Sequence, residues 1–130
     1  MRIALAQQNY HIGNFEANTQ KIIAAVEAAR QQKVDLIVFS ELSICGYPPR
    51  DFLEFNDFIN KCYQAIDVIK EHSEGIGILV GGPARNPQKL GKDLFNAAFL
   101  LYNKQIVAKY IKPCYPRTMY LMNTAILNLH

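Results

Sequence analysis

Residues 34–41 read VDLIVFSE, a run in which apolar side chains dominate until a serine and an acid end it. Such a short β-branched and aromatic stretch predicts a strand from Val34 to Phe39, of the kind covered on both faces in parallel sheets. Upstream, Arg2 to Gln8 carries Ile3 and Leu5 among alanines and predicts another short strand, followed by a turn at Gly13. Between the two, Ile22, Ile23, Val26 and Ala29 recur at helical spacing behind Asn14, whose side chain suits an N-cap. A helix is therefore expected from about Phe15 to Gln32.

Downstream of the strand, LSICGYPPRDF (residues 42–52) is a loop, because Gly46 frees the backbone while Pro48 and Pro49 remove hydrogen-bond donors. Asn56 is expected to cap a second helix whose Ile59, Cys62, Tyr63, Ile66 and Ile69 form one apolar stripe, ending near Ser73 to Gly75. Ile76 to Val80 predicts a third buried strand, closed by Gly81, Gly82 and Pro83. The runs Leu94 to Tyr102, interrupted by Asn96, and Ile106 to Tyr110 predict an antiparallel hairpin turning at Asn103 and Lys104. This order of elements gives an α/β layer with parallel strands joined by helical crossovers. If both helices cover one face, the other is left rich in Val, Ile and Leu and needs a second layer.

A length of 130 residues allows one domain, and a composition of 50% hydrophobic and 19% charged residues allows a real core. The formal charge of +3 is spread along the chain and does not point to nucleic acid. No run approaches the ~18 consecutive apolar residues of a membrane helix, and the N-terminus has no signal-peptide core, so a cytoplasmic protein without a membrane partner is expected. Cys45, Cys62 and Cys114 show no CxxC spacing and are expected to be reduced thiols. His11 and His72 have no partner at metal-ligand spacing and His130 ends the chain, so no metal is expected. Gly81 and Gly82 lack the rest of a phosphate-binding loop.

Two residues stand where open α/β sheets place their sites, beyond the carboxyl ends of strands. Glu41 directly follows VDLIVFS; a partly desolvated carboxylate there suits a general base, although a strand-end acid that merely meets water is the plainer reading. Lys112, in YIKPCYP after the hairpin, offers a cation to a developing oxyanion, against the plainer reading of a solvated surface lysine. A cysteine attacks only as thiolate. Cys62 lies on the apolar helix stripe, while Cys45 and Cys114 lie near the two charged candidates, and buried structural thiols remain the plainer reading for both.

The motifs MRIALAQ with GNFEANTQKI, FSELSICGYPPRDF and LFNAAFLLYNKQIVAKYIK together resemble the start of the glutaminase domain of the bacterial glutamine-dependent NAD+ synthetase family, a branch of the nitrilase superfamily. The resemblance covers residues 1 to about 112. It implies an α-β-β-α sandwich of the nitrilase (carbon-nitrogen hydrolase) type, of which only the N-terminal part is present, and so supplies the second sheet demanded above. It also implies hydrolysis of glutamine by a Glu-Lys-Cys triad, in which the cysteine forms a thioester, Glu41 is the general base and Lys112 stabilises the oxyanion. The family's nucleophilic cysteine lies further downstream, and none of Cys45, Cys62 or Cys114 matches it. The resemblance further implies an oligomeric parent whose ammonia passes to a synthetase domain, absent here, that uses ATP and Mg2+ to amidate nicotinic acid adenine dinucleotide. No cofactor is implied for this chain itself. A triad short of its nucleophile is expected to be inactive alone.

After Lys112 the family resembles K-x-x-L-P-N-Y, whereas this chain reads KPCYPRTMYLMNTAILNLH. Codons permitted for Cys114 to Tyr120 also spell LPKNYV one base out of register, and those for Leu121 to Leu129 also allow LDEYRYFE. Residues 113–130 are therefore expected to be a divergent or out-of-frame tail. Two other functions remain in view: a stand-alone nitrilase-like amidohydrolase, against which GYPPRDF argues, and a non-catalytic assembly module that pairs through the open sheet face.

Overall fold

In the computed structural model, which describes residues 1–47, 55–85 and 94–112, five strands and two helices follow one another. Strand β1 is Ile3–Ala6, helix α1 Phe15–Gln31, β2 Leu36–Phe39, α2 Asn56–Lys70, β3 Gly77–Arg85, β4 Leu94–Tyr102 and β5 Gln105–Lys112. Most of the loop at PPRDF, the polar loop before β4, Cys114, His130 and the expected tail at 113–130 lie outside the described residues.

The sheet order is β1-β2-β3-β4-β5, with β1, β2 and β3 parallel and β3, β4 and β5 antiparallel. Helical segments make the parallel crossovers. The β4–β5 hairpin turns through Asn103 and Lys104, both with positive φ (50° and 64°), the geometry whose twist matches that of paired strands. Asn14 caps α1 as expected, its Oδ1 accepting from the Ala17 amide at 3.2 Å. Asn56 does not cap α2. The N-cap position is the extended Phe55, which makes no side-chain cap bond, and Asn56 is already helical.

Burial alternates along β2, where Ile37 and Phe39 are buried and Leu36 and Val38 are half-buried. The strand is thus covered on one face rather than both, because α1 and α2 pack on the same side. That side holds the core: Ile22 and Val26 of α1, Ile59, Cys62, Ile66 and Ile69 of α2, and Ile78, Val80, Phe99 and Leu101 of the sheet. On the opposite side Ile3 and Leu5, the register partners of Leu36 and Val38, are 47% and 74% exposed. The open apolar face expected from the sequence is present.

β3 does not stop at its glycines. It runs on through Gly81, Gly82 and Pro83 to Arg85, paired along its length with β4. Its ladder with β2 ends at Leu79, and beyond that point the turn after β2 takes over as neighbour. The Gly81 amide donates to Ser43 Oγ at 3.4 Å, off the β4 ladder. Pro83, two residues on, turns its donor-less nitrogen to that same side, so it costs the sheet no ladder bond.

Candidate active site

Glu41 follows β2, yet Lys112 ends β5, three strands away in the sheet order. What closes that distance is the backbone after β2. Ser40 to Ser43 form a turn, with the Ser43 amide donating to Ser40 O at 3.2 Å and Leu42 held at φ 52°. The turn lies directly over Gly81, where an added Cβ would meet Leu42 N at 2.5 Å and Ser40 O at 3.1 Å. The Ile44 amide donates to Gly81 O at 3.2 Å, and the fully buried Ser43 completes the stitch from its hydroxyl. Gly81 thus gives the turn room to lie against β3, and the Glu41 side chain reaches over it towards β4 and β5. Nothing about it forms a phosphate cradle, since the space beside it is filled by backbone.

Reaching over in this way, the Glu41 carboxylate meets two donors on the open face. Lys112 Nζ lies 3.0 Å from Oε1, and Asn96 Nδ2 donates to the same oxygen. Asn96 and Lys112 face each other directly in the β4–β5 ladder, so both donors are placed by backbone register. The side chains are 36% exposed for Glu41 and 21% for Lys112, a pair only partly removed from water. Beside them is a cavity of about 30 Å³ lined by Val38, Ser40, Glu41, Gly81, Asn96 and Ala98. A wider groove of about 510 Å³, lined by residues of α1 and α2 such as Phe15, Thr19, Lys61 and Gln64, belongs to the helix side and is remote from this pair.

The structure therefore brings Glu41 and Lys112 into contact. Among the cysteines, it places Cys45 and Cys62 in the core, both fully buried. A hydrogen bond from Cys62 to Cys45, with burial adding to it, pushes the Cys62 thiol up, away from the thiolate a nucleophile needs. His11 is exposed, and His72 Nδ1 lies 3.5 Å from Glu27 at the surface. Among the described residues no three His, Cys, Asp or Glu side chains converge as a metal site would require. No helix among them is long and apolar enough to cross a membrane.

Three residues of this region have contacts that the sequence does not announce. Asn18, fully buried, accepts from the His11 amide at 2.9 Å and donates to His11 O at 2.8 Å and Ile44 O at 3.3 Å, tying the chain before α1 to the turn after Glu41. Gly46, at φ +84°, lets these loops meet, since a Cβ there would lie 2.8 Å from Ile12 N. Asn96 was visible only as a polar break in an apolar run; its register opposite Lys112 gives the break its meaning.

A family model described as carbon-nitrogen hydrolase matches residues 2–114. The chain belongs to the carbon-nitrogen hydrolase family. A curated relative named glutamine-dependent NAD(+) synthetase, from Xanthomonas campestris pv. campestris (strain 8004), is 39% identical over 113 residues, which are 86% of this chain and 20% of that protein. Among solved structures, a glutamine-dependent NAD(+) synthetase from Cytophaga hutchinsonii superposes with a TM-score of 0.81 at 22% identity, over 90% of this chain and 20% of that one. A Nesterenkonia AN1 amidase of the nitrilase superfamily gives a TM-score of 0.72 at 22% identity, over 91% of this chain and 46% of its own. The five-stranded mixed sheet with two helices is part of the nitrilase-superfamily fold. This carbon-nitrogen hydrolase chain spans about a fifth of the length of the curated relatives it matches.

Proposed function

We propose that this chain is the N-terminal portion of a glutaminase domain from a glutamine-dependent NAD+ synthetase, carrying the base and the oxyanion-stabilising cation of an amide-hydrolysing triad without its nucleophile. The observation that supports this most is the contact at 3.0 Å between Lys112 Nζ and Glu41 Oε1, made across three strands on the uncovered face. A carboxylate so placed can accept a proton from an attacking group, and the ammonium beside it can donate to a carbonyl oxygen that gains charge. In the complete domain a thiolate delivered by the covering layer would attack the glutamine carboxamide carbon, with Glu41 taking the thiol proton and later passing it to the departing ammonia. Cys45 and Cys62 are shut in the helix-side core and do not serve.

Residues 1–112 are the hydrolase portion in this reading, and residues 113–130 are a divergent or, as the codons favour, out-of-frame tail. What supports a boundary in this region is that the family match runs from residue 2 to residue 114. Glutamine is the substrate of the parent domain, while ATP and Mg2+ belong to a synthetase domain outside this chain. Sequencing the nucleotides across codons 112 to 130 tests the reading. An offset frame that continues into a hydrolase and then an ATP-using domain is expected; a closed offset frame overturns it.

A further inference from the structure

Asn96 gives its side chain to one atom only. Its Nδ2 donates to Glu41 Oε1, the oxygen that Lys112 Nζ also holds, and among the described residues no donor reaches Oε2. Its own Oδ1 is buried with no partner among the described residues. Buried carboxamides placed for structure satisfy both ends, and an orphaned acceptor calls for an explanation. Turning the amide over does not remove the orphan, because Oδ1 would then face a carboxylate oxygen and the bond to Glu41 would be lost. The orientation is therefore imposed by the carboxylate.

Lys112 alone does not choose between the two oxygens. Its ammonium is a compact charge on a flexible stem that can bond either one without fixing the carboxylate's rotation. Asn96 is planar, short and fixed on β4 directly opposite Lys112, so it selects. We propose that Asn96 is a positioning residue, which pins Oε1 of Glu41 and leaves Oε2 as the oxygen that exchanges protons. This deepens, and rests on, the reading of Glu41 as the base.

The test needs no turnover. The full chain is acylated by a water-soluble acetate ester of N-hydroxysuccinimide, and the labelling of each lysine is read by peptide mass spectrometry, with exposed Lys104 and Lys109 as references. Glu41→Gln is expected to free Lys112 and raise its labelling by roughly 2- to 5-fold, as for a partly solvated ion pair. Asn96→Leu is expected to do the same by releasing the carboxylate, and Asn96→Ser, whose hydroxyl is too short to reach, repeats the measurement should the leucine variant not fold. The double variant Glu41→Gln/Asn96→Leu should label no faster than Glu41→Gln alone. Unchanged Lys112 labelling in both Asn96 variants, additive increments in the double variant, or equal acceleration of Lys104 and Lys109 each overturns the positioning role and leaves the Glu41–Lys112 pair standing. If Glu41→Gln itself fails to move Lys112, the pair falls as well.

Discussion

The face of the sheet that meets α1 and α2 is lined by Ile37, Phe39, Ile78, Val80, Phe99 and Leu101, all buried, whereas the opposite face carries Ile3 and Leu5 in the open together with Asn96 and Lys112. Both faces are apolar by composition. They differ in what sits among the apolar side chains. The helix side is closed and its few polar groups, Asn18 and Ser73 among them, are spent on backbone. The open side keeps a carboxylate, an ammonium and a carboxamide at one end of an otherwise greasy surface. Stability is concentrated on one side and chemistry on the other, so substitutions should separate along the same line.

The largest effect is expected from Phe99→Ala on the closed side, since deleting a fully packed ring costs about 3–5 kcal/mol. Urea unfolding should show a chain near or past its stability limit, and a change under about 1 kcal/mol would break the contrast between the faces. Gly81→Ala comes next. Its Cβ would run into the Leu42 backbone, so about 1–3 kcal/mol is expected, along with a rise in Lys112 labelling as Glu41 is displaced. Asn18→Ala should cost about 1–3 kcal/mol by leaving the His11 amide and the Ile44 carbonyl without their side-chain partner, read by the same unfolding curves.

On the open side the expected changes shrink. Glu41→Gln should alter stability by less than about 1 kcal/mol, because the pair is partly solvated and its Coulombic gain is screened. A loss as large as that of Phe99→Ala would mean that the pair is structural. Leu5→Lys is expected to stay within about 0.5 kcal/mol while reducing self-association in light scattering, since Leu5 is 74% exposed on a surface that invites other chains. An unchanged particle size would show that this face is not what makes the chain associate.

Periodicity made most of this legible. Helical spacing in Ile22, Val26 and Ala29, and again in Ile59, Cys62, Ile66 and Ile69, found both helices and their buried stripes. The two long apolar runs found the hairpin, and the count of helices against faces found the open side. Gly81, Gly82 and Pro83 look like punctuation and predict too early an end for β3. In three dimensions Gly81 makes room for the turn after β2, and Pro83 lies where no ladder bond is needed. Asn56 looked like a cap because its residue type suits one, whereas the chain enters α2 extended at Phe55. Glu41 and Lys112 could be named from motif and strand end. Ser43, Asn18 and Asn96 could not, because a polar residue in an apolar run acquires a role only when register and loop contacts say what it faces.

Ammonia release from glutamine by the purified 130-residue chain tests the central claim most directly. If the chain holds the proposed base and cation without a nucleophile, it should release none above the buffer blank. Steady turnover that Glu41→Gln abolishes would contradict the account, because it would require an attacking group within this chain.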